Sequence, residues 1–373
     1  MKKILIAAFF LFMTDICAAK EVVIGQSVAL SGPLKDSGSG MQLGARVYFD
    51  AVNASGGING NQIKFISRDD QYQASETIKI VRDLIDNHNA LALVGDNGTA
   101  TNEALAKERI LENAGMALVG PRTGALSLRT PLNKNIFHVR ASYSDEVQKA
   151  VQYYFTTGYK SIGIVYQNDA FGKDGLAAAL AALKANGLEP SFLAVYERNT
   201  TALDVAVKTA IEKNPQAVLL ITTTQPTGVF LKQYREKNGA AQVMTLSVSD
   251  GQQIVKDIGV KLARGLTITT VFPSPSRTDY PVVKEYQAAL KKFGPKDAEP
   301  NLISLEGYLS AKIVAEALRR AGPNPTRASI MEKLESFGEF DLGGFRVNYS
   351  PTRRSGSSYV DISIVDRIGR ILR

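Results

Sequence analysis

The 373-residue chain carries 44 Lys and Arg against 36 Asp and Glu, a formal net charge of +8, with one Cys and two His. A single thiol excludes a disulfide framework and a cysteine-held iron–sulfur cluster. The basic residues alternate with acids along stretches such as VRDLIDNH and KERILENAG and form no block longer than a pair such as Arg319-Arg320 or Arg353-Arg354, so a solvated surface explains them and no nucleic-acid partner is expected.

The first residues read as an export signal: Lys2 and Lys3, the ten-residue apolar run ILIAAFFLFM, then small residues up to Ala19. The pattern predicts a secretory signal over 1–19 with cleavage after Ala19, too short for a membrane span. Lipid attachment at Cys17 ranks second, because Thr14-Asp15-Ile16 is a poor approach to a lipidated cysteine. Cleavage leaves 373 minus 19, or 354, residues and no cysteine, a length that predicts two domains.

Strand, loop and helix then repeat. EVVIGQSVAL predicts a strand, SGPLKDSGSG a loop, and MQLGARVYFDAV a helix with Met41, Gly44, Val47, Tyr48, Ala51 and Val52 at helical spacing. QIKFISRDD reads as the next strand and ASETIKIVRDLIDNH as a helix with Ile78, Val81, Leu84 and Ile85 on one face. LALVG then NEALAKERILENAG, and MALVG then PRTGALSL, continue the series. A second series starts after residue 141: SIGIVYQ leads to GLAAALAALKANG, AVLLITT to GVFLKQYREKNG, and VMTLSVS to DGQQIVKDIG. This alternation predicts an α/β fold with right-handed crossovers and a doubly wound parallel sheet in each half. Prolines interrupt the rhythm over 272–300; a long helix in ISLEGYLSAKIVAEALRRAG and two strands, YVDISIVD and GRILR, complete the chain.

Asp69-Asp70 closes the second strand and raises the question of a catalytic carboxylate pair. Adjacent strand residues point to opposite faces, so the two cannot converge on one substrate atom, and turn, cap and strand-end roles are expected. No Gly-x-Gly-x-x-Gly opens the first βα turn, and no Walker loop or Gly-x-Ser-x-Gly elbow occurs. His88 and His138 lack metal-ligand spacing and read as structural. Binding without catalysis, metal or cofactor is the expectation.

The stretch IGQSVALSGPLKDSGSGMQLGARVYFDAVNASGGINGNQIKFISRDDQ, with ALVGDNGTATNEAL, GMALVGPRTGAL, IGIVYQNDAFGKDGL and GLTITTVFP, resembles the periplasmic solute-binding proteins of the branched-chain amino acid (leucine/isoleucine/valine-binding) family. The resemblance covers essentially the whole chain after the signal. It implies a type I periplasmic binding fold: two doubly wound lobes joined by a three-strand hinge, closing on a small molecule and delivering it to a membrane ABC permease. The expected division is 20–141 with 272–346 for one lobe and 142–271 with 347–373 for the other. A monomer in the periplasm, holding an amino acid or related small carboxylate, is expected. The alternatives are a ligand-sensing module for a membrane receptor, or a binder of a non-amino-acid carboxylate or amide.

The resemblance also assigns residues. Thr99 matches the hydroxyl that grips a ligand carboxylate, with Thr101 beside it, while Thr123 and Gly124 complete the grip. Phe171 closes over the ligand and Asp250 pairs with its amine. The residues alone leave other roles open: the threonines and Asp250 suit helix N-caps, and Phe171 suits a core. Arg122 departs from the small residue of the family; it either holds a second acidic group bidentately or points into solvent. Thr223, with Thr224, and Ser37 stand where the family carries aromatics, which changes the pocket and argues against leucine itself. Tyr143 either lines the cleft or packs the hinge.

Overall fold

The computed structural model describes residues 20–372; the signal expected over 1–19, including Cys17, lies outside the described residues. The first series contains β1 (Lys20–Val28), α1 (Lys35–Ala54), β2 (Asn61–Asp69), α2 (Ala74–Asp86), β3 (Ala92–Val94), α3 (Thr99–Lys107), α4 (Ile110–Asn113), β4 (Ala117–Val119) and β5 (Ile136–Phe137). The second runs through α5 (Tyr143–Thr156), β6 (Ile162–Gln167), α6 (Ala170–Ala185), β7 (Phe192–Tyr196), α7 (Asp204–Lys213), β8 (Ala217–Ile221), α8 (Thr224–Glu236), β9 (Gln242–Thr245), α9 (Gly251–Ile258), α10 (Val260–Ala263) and β10 (Thr267–Thr270). After these come α11 (Pro281–Phe293), α12 (Leu302–Ala321), α13 (Arg327–Glu335), β11 (Gly338–Asp341), β12 (Arg346–Tyr349), β13 (Asp361–Val365) and β14 (Ile371–Leu372).

Two large sheets organise the fold. The first has order β2-β1-β3-β4-β5 and is parallel throughout. The second has order β14-β13-β10-β9-β8-β6-β7. Its five strands from β10 to β7 are parallel, whereas β13 and β14 pair antiparallel. The parallel, doubly wound body is as expected, and the two final strands add an antiparallel edge to it. Asp366 closes a tight turn by accepting from the N–H groups of Ile368 and Arg370, and a turn that short joins only antiparallel neighbours. Both sheets are doubly wound, with the direction of winding reversing between β1 and β3 and between β6 and β8.

Burial follows from the residue types. All five residues of β8 are buried: Val218 and Leu220 join one apolar cluster, while Ala217, Leu219 and Ile221 join the cluster on the other face. The largest cluster lies under the first sheet and joins Ile24, Val94 and Phe137 to Tyr286, Leu309 and Val314 of α11 and α12. Val347 and Tyr349, which the sequence division assigns to the second lobe, pack in this first cluster. The chain passes between the two halves three times, from β5 to α5, from β10 to α11, and from β12 to β13.

Several local expectations shift. Helix α1 begins at Lys35 rather than Met41, so six of the ten residues of the expected loop SGPLKDSGSG lie in it. Its serines and glycines are poor helix formers, but a Cβ on Gly38 would stand 1.9 Å from Ala29 O and one on Gly40 2.7 Å from Ile303, so close packing holds the first turns. The helix expected over 102–115 breaks at Arg109, whose φ is 52°, into α3 and α4. PRTGALSL yields only a 3-10 turn at Leu126–Leu128, and the proline-rich stretch contains α11, with Pro281 at its first position.

His138 is buried; its Nε2 lies 3.4 Å from Leu128 O, and its Nδ1 has no partner. Burial, aided by the nearby Arg129 guanidinium, holds its pKa well below the ordinary value. An unfolded histidine titrates near pH 6.5, so below that pH the unfolded chain holds one more proton and stability falls, by about 1.4 kcal/mol per unit. Between pH 7.5 and 5.0 this group is expected to cost about 2 kcal/mol. Urea unfolding of the wild type and of His138→Gln measures it, since other titrations are shared. A stability gap that stays constant with pH contradicts a neutral His138.

Candidate functional site

The site grows from the carboxyl ends of the strands at the two winding reversals, where an open α/β sheet leaves a crevice. The Asp69-Asp70 pair anchors the turn that follows β2. Asp70 is buried and accepts from Ser27 Oγ, Thr77 Oγ1 and Tyr72 N, each at 2.9 Å, and burial raises its pKa. Asp69 accepts from Leu30 N at 2.8 Å and Gln71 N at 2.9 Å. The pair is scaffold, as expected, although Asp70 is desolvated rather than solvated.

Helix α3 starts from Gly98, whose φ of 101° turns the chain sharply, and no side chain caps its first turn. Its first N–H groups therefore have no intrahelical or side-chain acceptor. Thr99 Oγ1 lies 2.7 Å from Thr123 Oγ1, so these two candidates meet. Thr101 instead donates back to Asn97 O at 2.7 Å and Gly98 O at 2.9 Å, a local helix-start role. Gly124 is shaped by packing: a Cβ there would lie 2.5 Å from Tyr143 N and 2.7 Å from its ring.

Ser37, Thr99, Arg122, Tyr143, Phe171 and Thr223 line one cavity, together with Leu34, Tyr72, Gly98 and Val248. Thr123 does not line it and is joined to it through the hydroxyl of Thr99. The cavity volume is ≈20 Å³, room for about one water, so the two halves are closed over it. Asp250 is elsewhere. It borders a separate cavity of ≈480 Å³ with Thr270, Asn301, Ile303 and Ile371. Its Oδ1 caps α9 by accepting from Gln252 N at 2.9 Å and Gln253 N at 3.2 Å, and burial raises its pKa. The larger cavity is roomier and also carries hydroxyls, but only the smaller one adds aromatic rings, from Tyr72, Tyr143 and Phe171.

Arg122 does not point into solvent: it lines the cavity with its guanidinium already engaged inside the protein. It is buried, donates through Nε to Ser37 Oγ at 2.9 Å, ion-pairs with Glu306, and reaches across to the carbonyls of Ser247 at 3.0 Å and Val248 at 3.2 Å. The cause is Glu306, which α12 carries into the interior, where a carboxylate needs a cation. Glu306 also faces Arg140 Nη1 at 3.4 Å, and Arg140 Nη2 pairs with Glu146 at 3.0 Å. Glu146 further accepts from Ser247 N at 2.8 Å and Thr269 Oγ1 at 2.5 Å. A buried chain of alternating charge thus spans both halves.

Tyr72 is a second residue that sequence reading missed. Gln71 and Tyr72 both hold left-handed backbone, with φ of 54° and 58°. Tyr72 enters the other half: its hydroxyl donates to Asp169 Oδ2 at 3.2 Å, and the Arg198 guanidinium lies 3.8 Å from its ring centre. Tyr143 packs on Phe171 with ring centres 5.0 Å apart. The signals in sequence were thin: a tyrosine one residue past RDDQ, and a lone acid among apolar positions in ISLEGYLSAK.

A family model described as periplasmic binding protein matches residues 21–366. The chain is 24% identical to an amino acid binding protein of Pseudomonas aeruginosa, covering 84% of this chain and 82% of the relative. It is 21% identical to Leu/Ile/Val-binding protein homolog 3 of Brucella melitensis, covering 92% and 91%. A substrate-binding periplasmic protein from Ralstonia solanacearum shares 36% identity with a TM-score of 0.90, over 94% of this chain and 99% of that one. A branched chain amino acid ABC transporter protein from Thermus thermophilus, solved with bound valine, superposes with a TM-score of 0.87 at 19% identity, over 95% of each chain, and so speaks for the fold alone. The family match takes in the first sheet, the second sheet through β13 and all three passages between them, and the chain therefore belongs to the periplasmic binding protein family, with the type I fold of its leucine/isoleucine/valine-binding branch.

Proposed function

We propose that this protein captures an amino acid or related small carboxylate between its two lobes in the periplasm and hands it to a membrane ABC permease. The observation that carries the reading is the meeting of Thr99 and the open α3 N-terminus from one sheet with Phe171, Thr223 and Val248 from the other in one cavity. Helix N-terminal N–H groups and hydroxyls suit a carboxylate. The names of the relatives support the same class of work. We assign 20–141 and 272–346, extended through β12, to one lobe and the remainder after residue 142 to the other, joined by the three passages. Residues 1–19 serve as a signal cleaved after Ala19, and the product acts as a monomer. Ligand docks first on Thr99 and the α3 N-terminus, and closure then brings Phe171 and Thr223 over it.

A thermal-shift panel of aliphatic amino acids, amides, aromatic acids and dicarboxylates tests this. A true ligand at one hundred times its Kd adds about 2.7 kcal/mol of stability. Thr99→Val is expected to weaken that ligand by about 1.5–3 kcal/mol, the worth of a hydrogen bond to a charged group. A panel in which no solute raises the melting temperature ends the reading.

A further inference from the structure

The walls of the small cavity say which carboxylate fits. The rings of Tyr72, Tyr143 and Phe171, the hydroxyls of Ser37, Thr99 and Thr223 and the cationic Arg122 line it, and none of its lining residues is Asp or Glu. The acids around it are engaged by the protein itself. Asp169 accepts from Tyr72 Oη at 3.2 Å, Gln167 Nε2 at 2.7 Å and Gly172 N at 3.1 Å. Glu306 is paired with Arg122 and Arg140, and Asp250 caps α9 in the other cavity. An ammonium shut into this space would lose its water and gain no carboxylate, which is strongly unfavourable.

Shape adds a second constraint. Tyr143 and Phe171 lie with ring centres 5.0 Å apart and planes at 60°, and the space left among the rings is ≈20 Å³. Any solute must part the halves, and a planar body does so with the least displacement while meeting ring faces and edges. A branched aliphatic body is thicker and meets the same rings less well.

Resting on the capture of a carboxylate proposed above, we infer that the cleft selects an aromatic carboxylate lacking an α-amine, and that Tyr72 is the ring that closes on it. Tyr72 is held for this task from both halves. Its left-handed backbone, costly for a tyrosine, is fixed by Asp70, which accepts its N–H at 2.9 Å. From the other half, Asp169 accepts its hydroxyl, and Arg198 lies over its ring and donates to its carbonyl oxygen. Closure and ring placement are therefore one event, which makes Tyr72 a specificity residue and Arg198 the residue that positions it.

Calorimetric titration of protein stripped of carried solute by unfolding and refolding tests this with matched pairs: 3-phenylpropanoate against L-phenylalanine, 4-methylpentanoate against L-leucine, and benzoate. 3-Phenylpropanoate or benzoate is expected to bind at least about tenfold tighter than L-phenylalanine and tighter than 4-methylpentanoate. Tyr72→Leu should weaken that binding roughly tenfold, Tyr72→Phe and Arg198→Lys by less, and Asp250→Asn not at all. Should Tyr72→Leu fail to fold, Tyr72→Phe and Arg198→Lys carry the test, and unchanged affinity in both overturns the role of Tyr72. An amino acid binding tighter than its deaminated partner, or a loss in Asp250→Asn, overturns the inference and leaves solute capture standing. Tighter binding of 4-methylpentanoate overturns the aromatic preference. No binding by any of the five, with no response in the wider panel, removes both.

Discussion

Arg140→Met is expected to lose about 3–5 kcal/mol of stability, the usual result of removing one partner from a buried ion pair. Arg140 is fully buried between Glu146 and Glu306. Burial opposes its charge, but the two carboxylates outweigh that and raise its pKa above the ordinary arginine value. Methionine approximates the volume and leaves both glutamates facing one fewer cation in a desolvated space. The double variant Arg140→Met with Glu146→Gln should recover part of the loss, because the neutral amide no longer needs a counter-charge. Urea unfolding of wild type and both variants decides it; a loss below about 1 kcal/mol in the single variant would mean the chain of charge is not what joins the halves there.

Gly44→Ala is the second large effect, and it acts through backbone rather than charge. A Cβ at Gly44 would lie 1.8 Å from Ser304 O and 2.7 Å from Tyr308 N, both main-chain atoms that cannot rotate away. Gly307 answers from the opposite helix, where a Cβ would meet Met41 O at 2.3 Å. In an isolated helix alanine is better than glycine by about 1 kcal/mol, so propensity alone predicts stabilisation. The contact reverses the sign: α1 and α12 must separate, at a cost of about 1–3 kcal/mol. Because α12 also carries Glu306, the displacement should reach Arg122 and lower ligand affinity as well. A variant that melts at or above the wild-type temperature contradicts this.

Periodicity was enough to read the architecture. Strand followed by amphipathic helix, twice over, is a local pattern, and β2, α2, β8 and α12 fall where their apolar spacing puts them. What stayed hidden depends on partners distant in sequence. The first turns of α1 look like loop because their glycines are weak helix formers, yet Ala29 and Ile303 hold them. Arg122 could be read either as a ligand clamp or as surface because its partners lie 85, 125 and 184 residues away. Asp250 shows the same limit from the other side. Its cap on Gln252 and Gln253 is local and legible, whereas the cavity it borders is set by strands near the C-terminus. Thr99 and Thr123 were legible because each follows a short apolar strand in a glycine-rich loop, which fixes them at neighbouring strand ends.

Arg122 and Tyr72 both reach across the crevice, and the cavity lined by Thr99 and Thr223 holds about one water. Loading therefore has a gatekeeping step that the solute cannot hurry: the crossing bonds must break before anything enters. At high solute concentration the observed association rate should level off at the opening rate instead of climbing without bound. Loosening Tyr72 or Arg198 would then trade retention for speed, raising that ceiling while shortening the time each captured molecule stays aboard.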